Sequence, residues 1–158
     1  MKHIISLFFF LSLLPGCSAQ LLASTAQHQH NHMQNSIYYL SKLQQVARES
    51  SDMRLILRRF GREPIIIPLS RENQEVMRAL IAHMQPVEND RSMRPRASYS
   101  VNLQFLDAAG MALFEFDTAA VNNGKGRAYE YLALSEEELL LWNQHVKCDA
   151  VIKHIGRP

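Results

Sequence analysis

The chain has 158 residues, with 17 Lys plus Arg against 15 Asp plus Glu and only two cysteines. That length suits one domain with a proper core, and the near-balanced charge excludes a dedicated nucleic-acid binder. Two cysteines exclude a disulfide-stapled scaffold, and no GxSxG, HExxH, CxxC or P-loop spacing occurs.

The chain opens with Met1-Lys2-His3, a short basic start, followed by an apolar run from Ile4 to Leu14 broken only by Ser6 and Ser12. Eleven residues make a helix of roughly 16 Å, about half of a hydrocarbon core, so the run does not span a membrane. Its layout is that of a secretory signal peptide. It ends in "SLLPGCS", which resembles the lipobox of bacterial lipoproteins: Leu14 three residues before the cysteine, Gly16 directly before it, and Cys17 as the acceptor of lipid. The resemblance covers the leader alone. It implies a diacylglycerol thioether on Cys17, cleavage after Gly16, and a body held at a bacterial envelope membrane. Ser18 after the cysteine goes with outer-membrane delivery in many lipoproteins of this kind. An ordinary cut after "STA" (Ser24-Thr25-Ala26) is the competing reading and leaves a free secreted chain. Two or three acyl chains, at about 0.8 kcal/mol per buried methylene, make release negligible. With Cys17 lipidated, Cys148 has no partner for an internal disulfide and reads as an inert, packed thiol.

Residues 1–16 thus read as signal peptide, 17–36 as a lipidated tether and 37–158 as one α+β domain. The tether, "SAQLLASTAQHQHNHMQNS" after the cysteine, is rich in Gln, Ala, Ser and Asn and reads as a flexible spacer of about 25 Å. His28, His30 and His32 alternate within it. In extended chain they share one side, which makes them candidate ligands for Zn, Cu or Ni, with Met33 as a soft ligand for Cu(I). The alternative is a polar linker that binds nothing, since a mobile tether lacks the supporting contacts that orient metal ligands.

Ile37, Leu40, Leu43 and Ala47, flanked by Tyr39 and Val46, repeat at helical spacing, with Asn35 or Ser36 placed to cap the start. "DMRLILRR" and "PIIIPLS" read as strands joined by a turn at Phe60–Glu63, and Pro64 and Pro68 put the second strand at an edge. Ser70 is an N-cap for a helix with Val76, Met77, Leu80, Ile81 and Met84 facing the core and Pro86 as its stop. "ENDRSMRPRAS" is a polar loop. Its Arg91, Arg94 and Arg96 are candidate contacts to a partner or to anionic lipid, against the plainer reading of a solvated loop.

In "SYSVNLQFLDAAGMALFEFD", Tyr99, Val101, Leu103 and Phe105 alternate with polar residues, a strand with one wet face. Asp107–Gly110 forms the turn, and Ala112, Phe114 and Phe116 continue the apolar side. Asp107, Glu115 and Asp117 read as ordinary exposed polar positions. "AYEYLAL" reads as one more strand. "LSEEELLLW" holds a capping box (Ser135, Glu138) and a hydrophobic staple (Leu134, Leu139), with Trp142 and Val146 buried. "CDAVIKHI" suits either helix or strand. "IPLSRENQEV" and "LALSEEELLL" echo one another sixty-five residues apart.

These elements predict a small two-layer α+β sandwich, with a mainly antiparallel sheet of about five strands and two or three helices on one face. Function is less legible. His83 and His145 sit near helix ends, where dipole capping accounts for them. His145 and Cys148 are the candidate pair for a thiol enzyme, without a third residue to orient them. The sequence favours a non-catalytic binding or assembly module that needs no cofactor and docks on an envelope protein, over an enzyme. The alternatives are metal capture by the tether histidines and a small exported inhibitor of another protein.

Overall fold

The computed structural model describes residues 16–87, 98–124 and 132–155, with side chains of the first helix described from residue 33 onward.

The first helix, α1 (Gly16–Glu49), is one continuous element of 34 residues, about 51 Å long. It therefore includes the segment expected to be a flexible spacer. No glycine or proline stands between Cys17 and Phe60, and Gln and Ala are among the commonest residues of the early part, so nothing in the chain breaks the helix. Ser36, expected as an N-cap, is instead an interior residue of α1 and fully buried. The buried stripe runs Ser36, Leu40, Leu43, Val46 and Ala47, while Ile37 falls off it and is 43% exposed.

Strands β1 (Asp52–Arg59), β2 (Ile65–Pro68), β4 (Tyr99–Leu106) and β5 (Ala112–Asp117) form an antiparallel sheet in the order β2-β1-β4-β5. The proline-bearing β2 is at the edge, as its missing amide donors require. Gly61 supplies positive φ in the β1–β2 turn, where the Arg62 amide donates to the Arg59 carbonyl over 3.2 Å. Gly110 does the same in the β4–β5 turn. There the Asp107 carboxylate accepts from the amides of Ala109 (2.9 Å) and Met111 (2.8 Å).

Three further strands, β3 (Gln85–Pro86), β6 (Val121–Asn122) and β7 (Leu132–Ala133), form a separate small sheet in the order β3-β7-β6. The expected α+β class with a mainly antiparallel sheet holds, its strands divided between a four-stranded sheet and this one, in which β6 and β7 run parallel. Pro86, expected just past the end of a helix, stands two residues after the C-cap Met84 and lies in β3, paired with Leu132.

Helix α2 (Arg71–His83) starts at Ser70, whose hydroxyl accepts from the Asn73 amide. Helix α3 (Glu136–Val146) starts at Ser135 with the full capping box, and "DAVIKHI" resolves as a helix, α4 (Asp149–Ile155). All four helices feed one core on one face of the large sheet, built on Leu43, Met53, Leu55, Leu57, Met77, Ile81, Leu103, Phe105, Phe116, Trp142 and Val151. Helices α1 and α2 cap one another. Arg78 of α2 donates to the Ala47 carbonyl and, over 3.0 Å, to the Ser50 hydroxyl and carbonyl at the end of α1. Gln44 of α1 in turn donates to the Ile81 (3.2 Å) and Ala82 (3.3 Å) carbonyls at the end of α2. Burial pushes the Arg78 guanidinium below the usual arginine value. Two of the echoed segments do begin strand, serine cap, helix, but β2 and β7 belong to different sheets, so the likeness is that of two local caps.

Candidate functional site

Cys17, the cysteine expected to carry lipid, stands in the first turn of α1. From Cys17 to Ser36 the helical backbone covers about 28 Å, close to the reach expected of a coil but along a fixed direction. His28, His30 and His32 fall within the same helix, so the extended backbone assumed for a shared side is not what their segment adopts. Helical spacing sets positions 28 and 32 on one side and 30 on another. Their side chains, like that of Cys17, lie outside the described residues. Arg91, Arg94 and Arg96 lie outside them altogether. Among the described residues no helix is long and apolar enough to cross a membrane, and no three His, Cys, Asp or Glu side chains could hold a metal ion together.

The richest polar constellation is one that the sequence reading passed over. On the sheet face away from the helices, Glu115 of β5 accepts a two-pronged bond from Arg58 of β1: Nε to Oε1 at 2.9 Å and Nη2 to Oε2 at 2.8 Å. Asn102 of β4 donates to the same carboxylate at 2.7 Å and Gln104 at 3.4 Å. Gln104 accepts in turn from Arg54 Nε at 2.8 Å, which extends the chain of bonds across three strands. Antiparallel register produces this: Arg54 lies opposite Gln104 and Gln104 opposite Glu115. Glu115 is thus no ordinary exposed residue. Hydrogen bonding by Arg58, against a smaller opposing effect of burial, holds its carboxyl below the usual glutamate range, and the same contact raises Arg58. Chemically this is an ionised, fully engaged acceptor that pins a sheet. The other two acids also have structural work. Asp107 closes its turn, and Asp117 caps the 3-10 turn Thr118–Ala120 by accepting from the Ala119 amide.

The histidines and the thiol divide differently. His83, in the last turn of α2, meets Glu138 across the helix junction, Nδ1 to Oε1 at 2.7 Å. Glu138 also accepts from the Ser135 amide (3.1 Å) and hydroxyl (2.8 Å), and these contacts, Ser135 first, hold its carboxyl below its ordinary value. His145 and Cys148 are not brought together on one helical turn. Helix α3 ends at Val146, and Lys147 adopts a non-helical backbone between them. Cys148 is a free, half-buried thiol packed against the core and at the start of α4, its carbonyl accepting from the Val151 (2.9 Å) and Ile152 (3.0 Å) amides.

Exposed apolar groups concentrate at the sheet ends and on outer helix surfaces. Phe60, at the tip of the β1–β2 hairpin, is 98% exposed, with Tyr99 at the start of β4 beside that end. Met111 and Leu113 are exposed at the opposite hairpin, and Leu140 and Leu141 on α3.

No protein-family model, curated protein or solved structure matches the chain, so the fold and these contacts are the ground on which its function is read.

Proposed function

We propose that this chain is a lipid-anchored envelope protein whose folded domain works by contact with a partner and not by catalysis. The observation that carries the reading is the passage from lipobox to stalk. The Leu14-Pro15-Gly16-Cys17 segment leads into a helix that starts at Gly16 and runs without a break into the core stripe Leu40, Leu43 and Ala47. Lipid on Cys17 then holds the domain through about 28 Å of helix, a spacer that sets its greatest height above the bilayer. The contact role is supported by the work that the chemically versatile side chains already do. Glu115, His83, Glu138 and Ser135 hold strands and helix ends together, and Cys148 packs on the core.

Intact-mass measurement on protein isolated from its own host tests the anchor. The expected product begins at Cys17 and carries added fatty mass, which Cys17→Ser removes. A mature start at Gln27 without such mass overturns the reading. Crosslinking in the envelope followed by mass spectrometry tests the contact role; a domain that crosslinks to no other protein in its membrane-bound state removes it.

A further inference from the structure

The two ends of the large sheet differ, and α1 decides which of them faces the anchor. Only Ser50 and Ser51 separate α1 from β1, and the Ser51 amide donates to the Leu106 carbonyl at 2.8 Å, so the end of α1 sits at the Asp52/Leu106 edge. Eleven residues earlier, Tyr39 packs on the rings of Phe114 (5.9 Å) and Phe116 (6.0 Å), which lie opposite Phe105 and Leu103. Followed backwards, α1 therefore leads away from Leu106 toward the Tyr99 end of β4. Tyr39 lies over β5, the edge strand farthest from β2, so the helix also crosses the sheet as it goes. The β1–β2 hairpin tip points to the Tyr99 end as well.

That tip reads Arg58-Arg59-Phe60-Gly61-Arg62-Glu63. Arg58 is committed to Glu115, but Arg62 is exposed, and Arg59 donates from Nη1 to the His154 carbonyl (2.9 Å). This bond brings the last turn of α4, with Lys153 and His154, to the same end. The tip backbone is tied to the sheet by the Phe60 amide donating to the Ser98 carbonyl at 3.4 Å, so Phe60 is held outward on a framed turn. A wholly exposed phenyl ring beside a tyrosine, with the exposed cations Arg62 and Lys153 at the same end against the carboxylate of Glu63, has the composition of groups that seat at a lipid–water boundary: the rings enter the headgroup layer and the cations meet lipid phosphates. The opposite end carries Asp52 and the Asp107 turn.

We propose that the Phe60 hairpin tip is a second, non-covalent membrane contact, seating Phe60 with Arg62 on an anionic bilayer, the domain and its continuous stalk leaning over together about Cys17. The proposal rests on the lipid-anchored reading, because the anchor brings the tip within reach of a bilayer.

The test is depth-dependent fluorescence quenching on full chain isolated from its host and reconstituted into vesicles of phosphatidylcholine with or without phosphatidylglycerol. A Phe60→Trp variant supplies the probe, and Trp142, 1% exposed, gives a constant buried background. Trp at position 60 is expected to shift its emission to the blue and to be quenched by brominated acyl chains when phosphatidylglycerol is present. Adding Arg62→Glu is expected to weaken that partitioning roughly tenfold. Emission that stays water-like and unquenched on phosphatidylglycerol vesicles overturns the proposal. The mass of the same sample reports the anchor separately. A quenched probe on a chain without fatty mass upholds the tip contact and removes the anchor, while an unquenched probe on an acylated chain removes the tip contact and leaves the anchor standing.

Discussion

Arg58 and Glu115 join across the open face of the sheet although their strands are not neighbours: β4 lies between β1 and β5, and the pair bridges over it. Asn102 and Gln104 of the intervening strand donate to the same carboxylate, so the bridge fastens three strands at one point.

Removing the acceptor is expected to cost more than removing the donor. Glu115→Ala strips the partner from Arg58, Asn102 and Gln104 together, whereas Arg58→Ala leaves the carboxylate two neutral donors. With Arg58 and Glu115 side chains 46% and 26% exposed, solvent screening keeps the pair's own coupling to about 0.5–1 kcal/mol. A double-mutant cycle by urea denaturation measures it, and equal costs for the two single variants contradict the shared-acceptor arrangement.

The same carboxylate sets a pH dependence. Its folded-state value is held below the ordinary 4.5, so its contribution is fully present above that value and is lost as pH falls through the lower, folded one. Wild type is expected to lose stability on acidification below about pH 4.5 more steeply than Glu115→Gln. Parallel acid-unfolding curves would show that Glu115 plays no part.

The register of α1 is open to a direct comparison. Leu43→Ala, at a fully buried position, is expected to destabilise by about 2–5 kcal/mol, and Ile37→Ala, at 43% exposure, by under about 1 kcal/mol. Guanidinium titration of both variants checks the order, and an Ile37→Ala cost as large as that of Leu43→Ala would put Ile37 on the buried stripe beside Leu43, where periodicity alone places it.

Trp142 is both packing and polar tie. Its ring meets Phe116 edge-on at 6.1 Å, and its Nε1 donates to the Thr118 carbonyl at 3.2 Å, while the Thr118 hydroxyl donates to Val101 at 2.7 Å. Trp142→Phe keeps an aromatic ring but leaves that buried carbonyl without its donor, and is expected to cost about 2–3 kcal/mol. Thermal unfolding with calorimetric enthalpy reads this out.

The two serine caps make a matched pair. Ser70→Ala and Ser135→Ala are each expected to cost about 1 kcal/mol, with Ser135→Ala the larger because the lost hydroxyl also donates to the Glu138 carboxylate at 2.8 Å. Equal losses in denaturant midpoint, at unchanged slope, would mean that this hydroxyl–carboxylate bond contributes nothing measurable.

Local chemistry explains what could be read from residue order alone. Alternation along 99–105, the edge prolines 64 and 68, positive φ at Gly110, the caps at Ser70 and Ser135, and the burial of Trp142 all follow from neighbours within a few positions. The α+β class follows from that pattern, and so does the lipobox resemblance that motivates the anchor. The start of α1 lies outside that logic: its polar composition suits a spacer, yet a segment without glycine or proline that contains Ala, Gln and Leu costs little to keep helical.

Only the tertiary structure decided how distant pieces meet. That Ser36 and not Ile37 faces the core depends on how α1 lies across the sheet. That Glu115 gathers Arg58, Asn102 and Gln104 depends on the register of three strands, and that His83 reaches Glu138 depends on the docking of α2 beside α3. The separation of β3, β6 and β7 into their own sheet is of the same kind, since two-residue strands carry almost no periodicity. The physical reason is common to all four: periodicity and capping act between residues a few positions apart, whereas pairing across dozens of positions is selected by the joint packing of the whole core.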